Sequence, residues 1–201
     1  NVVAVENIVG AAKKGTHILH YSTDYIFDGI SGPYDEIAIP NPISYYGRTK
    51  LASENVLWGS GHQFTIMRTM VLYGVGKNIK SNFALWLVKM LREEKPIRIV
   101  DDQTGNPTFV DDLAYATLKA IELEKNGLYN IAGSEIVSRF EFALALAKIF
   151  HYNTNLITPI KTAELQQRAP RPLRSGLLTL KAETQLGISS CNVLRGIEHF
   201  K

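Results

Sequence analysis

Apolar residues follow two alternating patterns along the chain. Windows with an apolar residue every three or four positions favour helices, and short apolar runs between turn residues favour strands. The first window opens the chain, where Val2, Val5 and Val9 share a helical spacing that stops at Gly15. Further helices are predicted over about 45–58, 82–94, 110–124 and 140–150, and strands over 17–22, 64–69, 97–100 and 128–133. This alternation is typical of βαβ units, so we expect an α/β fold with a mostly parallel sheet.

The segments between these elements are expected to carry the function. Residues 23–44 form a long connection rich in Gly and Pro, and irregular loops of that length are usually functional. A second turn-rich loop is predicted over 101–109. Ligands of parallel sheets bind beyond the carboxyl ends of the strands, which directs attention to residues 22–24, 68–69 and 133.

The last third of the chain reads as a mixture of short elements. A strand at 156–158, a short helix near Ala163, a loop at 169–176 and two short helices are predicted there. At the other end, the chain opens on Asn1 inside a helical pattern with no cap before it. We therefore expect residues to be missing upstream, with a natural start at this position as the alternative.

Composition excludes several functional classes. Lys and Arg number 22 against 19 Asp and Glu, and this mild excess is scattered, so no nucleic-acid partner is expected. No apolar run approaches the roughly 18 residues of a membrane span, and no signal peptide is visible. The single cysteine, Cys191, excludes an internal disulfide and fits a reducing compartment, so a cytoplasmic protein is expected. The five histidines are not clustered, so no metal site is expected: His17, His20, His62, His151 and His199.

Tyr46 and Lys50 are the first candidate for chemistry. Their i, i+4 spacing places both side chains on one helix face, where an ammonium is expected to lower the pKa of the phenol. A tyrosine tuned in this way can exchange a proton with a carbonyl or an alcohol. The spacing alone is weak, because it recurs at Tyr73/Lys77, across a glycine-rich loop, and at Tyr115/Lys119, where packing beside a solvated lysine is the simpler interpretation.

The context upstream of Tyr46 and Lys50 makes that pair different. Thr23 lies 23 residues before Tyr46, just past the first predicted strand, where its hydroxyl can bind a substrate oxygen beside the phenol. Ser22, Thr23 and Asp24 also suit a purely structural role, because Ser, Thr and Asp commonly cap loops. The spacing by itself leaves both interpretations open.

Longer motifs carry a resemblance to a known family. HYSTDYIFDG at 20–29, GPYDE at 32–36 and PNPISYYGRTKLASE at 40–54 resemble the extended short-chain dehydrogenase/reductase family, and most closely its dTDP-4-dehydrorhamnose reductase branch. Later segments match in the same order, so the resemblance covers essentially the whole chain. These segments are IMRTMVLYG at 66–74, SNF at 81–83, DDQTGNPTFVDDLA at 101–114, LYNIAG at 128–133 and APRPLRSGL at 169–177.

The resemblance implies a fold and a division of the chain. It implies a Rossmann-like doubly wound parallel sheet lacking its N-terminal βαβ units, plus a small C-terminal α+β substrate lobe. Residues 1–75 would form the C-terminal half of the NAD(P)-binding domain, with 109–133 returning to it. Residues 76–108 and 134–201 would form the substrate-binding lobe.

The resemblance also implies an oxidoreductase of nucleotide-sugar metabolism. It would use NADPH or NADH to reduce the C4 ketone of a nucleotide-linked 4-keto-6-deoxy sugar, as in dTDP-rhamnose biosynthesis. Tyr46 would protonate the C4 oxygen, Lys50 would hold the nicotinamide ribose, and Thr23 would orient the carbonyl. Arg68 and Thr69 would lie where the chain passes the nicotinamide, so that they bind the cofactor together with Tyr46 and Lys50. The substrate-binding positions would be Asp24, Tyr25, Asn82, Gln103 and Arg171.

Two departures from the family pattern limit this assignment. The glycine-rich GxxGxxG motif that binds the cofactor pyrophosphate is absent, and GVGK at 74–77 reads as a loop, so we expect this chain alone to bind NADPH poorly. Met70, Val71 and Leu72 stand where rhamnose-forming members carry a Trp, which leaves the exact sugar open.

Two other functions remain as alternatives. The same branch includes a regulatory subunit of methionine adenosyltransferase, a non-catalytic protein that binds another protein. A sugar-nucleotide epimerase or dehydratase is the other, although no Glu accompanies Asp24 as a dehydratase would need. Some relatives dimerise, and the sequence neither supports nor excludes a homodimer.

Overall fold

The structure is a computed structural model that describes residues 1–76, 79 and 81–201. The α-helices are α1 (Val2–Ala11), α2 (Tyr45–Trp58), α3 (Phe83–Arg92), α4 (Val110–Glu122), α5 (Arg139–Ile149), α6 (Leu180–Leu186) and α7 (Val193–Phe200). The strands are β1 (His17–Thr23), β2 (Gln63–Thr69), β3 (Leu72–Tyr73), β4 (Ile97–Val100), β5 (Thr104–Gly105), β6 (Thr108–Phe109), β7 (Gly127–Asn130), β8 (Val137–Ser138) and β9 (Ile157–Ile160). Short 3₁₀ helices cover Asp24–Ile26, Thr154–Leu156 and Thr162–Leu165.

A parallel sheet in the order β1-β2-β7 organises the first half of the chain. The strands end together, because Thr23 pairs with Thr69 and Arg68 pairs with Asn130. Their carboxyl ends therefore form one edge from which the chain continues into the predicted functional segments. The predicted α/β fold with parallel strands is confirmed.

Helices cover both faces of this sheet because its strands alternate apolar side chains between them. Ile66 packs with α1 and α2 on one face, in a cluster with Val5 and Leu57. Its neighbour Met67 points to the other face, where α4 and α6 cover it. Ile66 and Met67 are fully buried as a result.

A second hydrophobic core lies among α3, α5, α7, β4 and β9. Aromatic rings form its centre: Tyr73 lies 5.1 Å from Phe142 and 5.7 Å from Phe109, measured between ring centroids. The paired strands β4 and β9 are parallel and complete this core on one side. Two further strand pairs are β3 with β6, which is parallel, and β5 with β8, which is antiparallel.

The helices and longer strands agree with the sequence pattern, and the differences have simple causes. Strands β3, β5, β6 and β8 were not predicted, because two-residue strands are fixed by their partners rather than by periodicity. The loop predicted at 101–109 contains two of them. The Tyr73/Lys77 spacing and the end of GVGK involve Lys77, which lies outside the described residues. Within the described ranges, no helix is long and apolar enough to cross a membrane.

The single cysteine lies near the C-terminus, beside α4. Cys191 is partly buried, and its Sγ lies 3.6 Å from Oδ1 of Asp112. The backbone N–H of Cys191 also donates to the Asp112 carboxylate, at 2.8 Å. Burial first, and the negative charge of Asp112 second, raise the pKa of this thiol.

Candidate active site

The carboxyl end of β1 turns directly into a 3₁₀ helix, and Thr23 makes that turn. Its Oγ1 accepts from the backbone N–H of Tyr25 at 3.3 Å, which caps the Asp24–Ile26 helix. The same hydroxyl donates to Asp24 Oδ1 at 3.1 Å. Thr23 therefore has the capping role that the sequence left open, and the cap holds its hydroxyl at the edge of the sheet.

Helix α2 begins against this 3₁₀ helix. Ser44 caps it, since its Oγ accepts from the backbone N–H of Gly47 at 3.1 Å. A Cβ at Gly47 would lie 2.0 Å from the carbonyl oxygen of Tyr25, so only glycine permits this close approach. The approach brings the Tyr46 ring to 5.6 Å from the Tyr25 ring, edge to face at 76°.

The Tyr46 phenol faces the hydroxyl of Thr23, and its ring is 48% exposed. Burial raises the pKa of Tyr46, and Asp24 and Tyr25 raise it further, while the hydrogen bond with Thr23 lowers it. The predicted lowering by Lys50 is wrong for this structure, because the ammonium is directed elsewhere. Tyr46 therefore remains a protonated phenol at neutral pH.

Lys50 lies one turn further along α2 and is 8% exposed. Its ammonium donates to the carbonyl oxygen of Tyr21 and lies 3.2 Å from Nε2 of His20. Among the hydrogen bonds of the described residues, none joins it to Tyr46. Burial lowers the pKa of Lys50, and the negative charge of Glu54 opposes that shift. An ammonium has three donors, so two contacts leave one N–H for a ligand.

Asp24 is a buried carboxyl group at the base of the site, 3% exposed. Ser175 Oγ donates to its Oδ2 at 2.6 Å, which links β1 to the C-terminal part of the chain. Burial raises the pKa of Asp24 to about 6, against the opposing effects of the Ser175 and Thr23 hydrogen bonds. Sequence reasoning missed Ser175, which lies 151 positions away along the chain.

Arg68 and Thr69, which are predicted to bind the cofactor, make contacts within the protein. The Arg68 guanidinium is buried and forms a two-point ion pair with Glu54, with Nη2–Oε2 at 2.7 Å and Nε–Oε1 at 3.1 Å. Ser22 donates to the same carboxylate. The Thr69 hydroxyl donates to Thr108 Oγ1 at 3.3 Å. Arg68 and Glu54 thus link α2 to the ends of β1 and β2.

A narrow cleft of about 20 Å³ opens beside Asp24 and Tyr25. Gln103, Arg139 and Ser175 line it together with those two residues. Arg139 is held at the start of α5, where Ser138 caps the helix and Glu141 completes a capping box. Its guanidinium stacks over Phe83, 5.1 Å from the ring centroid.

A second, larger cavity of about 240 Å³ shares Gln103 and Arg139 with the first. Its polar lining adds Arg98 and Arg171, and its apolar lining includes the ring pair Phe83 and Trp86, whose centroids are 6.1 Å apart. Gln103 is fixed by donating to Thr162 Oγ1 at 2.9 Å. Such a cavity can take an aromatic base and an anionic group together, because arginine forks bind phosphate oxygens in pairs.

The predicted substrate positions therefore separate into two groups. The cleft and the cavity bring together Asp24, Tyr25, Gln103 and Arg171. Asn82 lies outside both, because its amide caps α3 through Leu85 N–H and donates to the carbonyl oxygen of Gly74. A sequence signal for this was present, since Asn before a predicted helix is a preferred cap.

Several residues of the site were not predicted, although two had a signal. Arg139 follows Ser138 in a capping-box sequence, which places a cation at a helix start where the dipole disfavours it. Glu54 lies four residues after Lys50 and so on the same buried face of α2. Trp86 and Phe83 read as ordinary core residues of a helix.

The chain matches the family described as RmlD substrate binding domain over residues 1–200. It is 34% identical over 195 residues to methionine adenosyltransferase 2 subunit beta from Xenopus tropicalis, covering 94% of this chain and 58% of that protein. It is 31% identical over 214 residues to a dTDP-4-dehydrorhamnose reductase from Aggregatibacter actinomycetemcomitans, covering 100% of this chain and 72% of that protein.

Among solved structures, the fold is similar to the dTDP-4-dehydrorhamnose reductase from Bacillus anthracis in complex with NADP. The TM-score is 0.90 at 29% identity, over 100% of this chain and 70% of that one. This chain spans 58% of the Xenopus protein, which is less than two thirds of its length.

Proposed function

The chain belongs to the RmlD substrate binding domain family, and on that premise we propose that it carries the catalytic residues and the substrate site of an NAD(P)H-dependent cytoplasmic reductase. The substrate is the C4 ketone of a nucleotide-linked 4-keto-6-deoxy sugar, of the dTDP-4-dehydrorhamnose type. The observation that carries this proposal is the meeting of Thr23, Tyr46 and Lys50 at the end of β1, beside a cleft lined with polar groups.

We divide the chain according to this function. Residues 1–75 and 109–133 form part of the cofactor-binding domain, and residues 76–108 and 134–201 form the substrate lobe. The two layers of helices on the β1-β2-β7 sheet support the first unit, and the separate core around α3, α5 and α7 supports the second.

The residues at the sheet edge fit the nicotinamide half of NADPH or NADH. Lys50 offers an N–H beyond its contacts with Tyr21 and His20, and the half-exposed Tyr46 lies one turn earlier on α2. The bound cofactor would supply the hydride that reduces the ketone. We assign Lys50 and Tyr46 to cofactor binding, together with Thr69 at the end of the adjoining strand β2.

Tyr46 serves as the acid in this mechanism. Its pKa is raised by burial, so the phenol holds its proton until negative charge develops on the ketone oxygen. The Thr23 hydroxyl is held in place by the 3₁₀ cap, and it would turn its single proton from Asp24 to the same oxygen and orient it.

The cavity bearing Arg139 and Arg171 is proposed to hold the nucleotide. The guanidinium groups pair the diphosphate oxygens, and the Phe83–Trp86 ring pair packs against the base. Gln103 lines both spaces and lies between the nucleotide and the sugar. Asp24 and Tyr25 then face the sugar ring in the cleft.

A non-catalytic role is the second candidate, and the 34% identity to the methionine adenosyltransferase subunit favours it. An intact Thr23, Tyr46 and Lys50 set does not separate the two functions. Turnover of a keto-sugar nucleotide supports the reductase. Stable association with a methionine adenosyltransferase catalytic subunit, without such turnover, supports the regulatory role.

The test compares two neighbouring tyrosines in the protein at its full natural length. NADPH oxidation is followed at 340 nm with dTDP-4-keto-6-deoxyglucose or its 3,5-epimer as substrate. Tyr46→Phe is expected to lower kcat by about 10²- to 10⁴-fold, the usual contribution of a general acid. Tyr45→Phe is the matched control, because Tyr45 is 82% exposed, and it should leave kcat unchanged. Equal rates for the two variants would remove Tyr46 as the acid.

A further inference from the structure

Asp24 holds the proton that the proposed reaction needs from Thr23. Its Oδ1 accepts from the Thr23 hydroxyl at 3.1 Å, and its Oδ2 accepts from the Ser175 hydroxyl at 2.6 Å. A threonine hydroxyl has a single proton to donate. While Asp24 is ionised, that proton is therefore directed to the carboxylate and not to a ketone in the cleft.

Protonation of Asp24 reverses this hydrogen bond. A protonated carboxyl group has one O–H donor, and a hydroxyl oxygen has two lone pairs. Thr23 Oγ1 accepts from the backbone N–H of Tyr25 at 3.3 Å, so one lone pair remains for the O–H of Asp24. Thr23 can then donate its own proton to a ketone oxygen, while Ser175 keeps its bond to Oδ2. Every one of these groups stays hydrogen-bonded without movement of the 3₁₀ helix.

The positive charge that favours ionised Asp24 belongs to Arg139. Arg139 lines the cleft together with Asp24, and it lines the larger cavity together with Arg171. Each of the charges on Asp24 and Arg139 stabilises the other, whereas Arg171 opposes the charge of Arg139. The other titratable groups that face Asp24 are the phenols of Tyr25 in the cleft and Tyr46 on α2. Among the side-chain hydrogen bonds and ion pairs of the described residues, none involves the Arg139 guanidinium, so its donors are open to a ligand.

A bound diphosphate changes this balance of charge. In the proposed function, Arg139 and Arg171 pair the oxygens of the nucleotide diphosphate, which is a dianion. A cation within about 4–6 Å lowers the pKa of a carboxyl group by about 1–3, so neutralising that cation raises the pKa again. Burial already raises the pKa of Asp24 to about 6, which is close enough to neutral pH for a further rise to change its protonation.

We propose that binding of the nucleotide diphosphate by Arg139 places a proton on Asp24 and thereby turns the Thr23 hydroxyl towards the substrate ketone. The proton comes from solvent and forms an O–H bond on Oδ1 of Asp24, with no change of oxidation state. Asp24 and Arg139 are thus positioning residues that act through Thr23. The reaction centre becomes complete only when a nucleotide occupies the cavity, which disfavours reduction of free keto sugars. This inference rests on the proposed function.

Proton uptake on binding tests this coupling without turnover. dTDP-glucose is titrated into the protein at its full natural length, saturated with NADP. Its diphosphate is a diester that does not titrate near neutral pH, and its sugar has no ketone. Calorimetry at pH 7 in buffers of different ionisation enthalpy measures the protons taken up. If Asp24 becomes a tenfold weaker acid in the complex, about 0.4 proton is taken up at pH 7 and Kd rises about fivefold between pH 6 and pH 8.

Three variants and a control identify the groups involved. Asp24→Asn should bind without proton uptake and with a Kd that does not change with pH, since the amide does not titrate. Arg139→Gln should lose most of the uptake, whereas Arg139→Lys, which keeps the charge, should retain it. Asp28→Asn is the matched control and should take up protons like the wild type. Asp28 follows in the same loop but accepts from Tyr34 and Asn41 instead of lining the cleft.

A pH profile of turnover tests whether Asp24 acts through Thr23. With NADPH and the keto-sugar nucleotide, kcat of the wild type should fall by about tenfold or more as the pH rises from 7 to 9, because ionised Asp24 takes back the Thr23 proton. Thr23→Val should have a lower kcat at pH 7 and should not show this fall. A fall of the same size in Thr23→Val would overturn the action through Thr23.

The outcomes separate the coupling from the reductase function. Binding of dTDP-glucose without proton uptake in the wild type overturns the coupling alone. Equal uptake in Asp24→Asn or in Arg139→Gln assigns the proton to other groups and also overturns it. Uptake that disappears in Asp24→Asn, in a protein that never oxidises NADPH, supports the coupling and removes the reductase function. A wild type that does not bind dTDP-glucose removes the nucleotide site and the coupling with it.

Discussion

The ion pair between Arg68 and Glu54 offers the sharpest test of how the site is held together. Both groups are buried, with side chains 4% and 1% exposed, and two N–H groups of the guanidinium meet the two carboxylate oxygens. The pair connects three elements: Glu54 lies on α2, Arg68 on β2, and Ser22 of β1 donates to the same carboxylate. Nη1 of Arg68 is also buried and has no partner among the described residues.

Glu54→Gln removes the charge that compensates this guanidinium. Breaking a buried pair by deleting one partner costs roughly 3–5 kcal/mol, because the remaining charge stays buried and unpaired. At about 2–4 °C per kcal/mol for a chain of this size, the thermal midpoint should fall by about 6–20 °C. Urea unfolding followed by circular dichroism measures the loss directly.

Two further variants test whether the unpaired buried charge causes this loss of stability. Glu54→Gln combined with Arg68→Met should be more stable than Glu54→Gln alone, since the unpaired charge is removed with its partner. Glu122→Gln breaks the exposed pair with Lys119 and should leave the urea midpoint unchanged. A loss below about 1 kcal/mol for Glu54→Gln, the range of exposed pairs, would refute the assignment of Arg68 as a structural anchor.

Three other expectations address the site itself. Burial raises the pKa of Asp24 to about 6 from 3.8, so the contribution of its protonated form to stability is complete below pH 3.8 and is lost as the pH rises through 6. Asp24→Asn should abolish this loss in urea titrations between pH 4 and 7. An unchanged pH dependence in that variant would contradict the expectation. Arg171→Ala should weaken binding of a nucleoside diphosphate by about 10- to 150-fold in calorimetry, at roughly 1.5–3 kcal/mol for a charged hydrogen bond, whereas the exposed Arg168→Ala should not. Gly47→Ala should lower kcat and leave KM nearly unchanged, because the new Cβ would press on the Tyr25 carbonyl and displace α2. A change in KM with kcat unchanged would count against this.

The fold was largely accessible from the sequence because its elements are locally encoded. Helix α2 was predicted at 45–58 and occupies Tyr45–Trp58, since Ser44 provides the cap and Gly59 the end. Strands β1 and β2 are buried runs bounded by turn residues, which periodicity detects. The two-residue strands were missed because nothing local distinguishes them from loop.

The site was accessible only where a motif places its residues on adjoining segments. Thr23, Tyr46 and Lys50 are brought together by one strand and one helix, and the sequence named them. The partners of Asp24 and Arg68 were not foreseen, because Ser175 and Glu54 reach them through tertiary packing. The direction of the Tyr46 pKa was wrong for the same reason: the Lys50 ammonium has better acceptors on β1 than the phenol.

The lone thiol at residue 191 has a practical use. Because the sequence holds one cysteine, a fluorophore or spin label with a maleimide handle would attach at a single known point. The thiolate is the form that reacts, and burial first and the neighbouring Asp112 second raise the pKa of the thiol. Labelling should therefore be slow at neutral pH and accelerate in alkaline buffer. A probe at this position would report opening of the α4 side of the molecule during unfolding while leaving the tyrosine and lysine of α2 untouched.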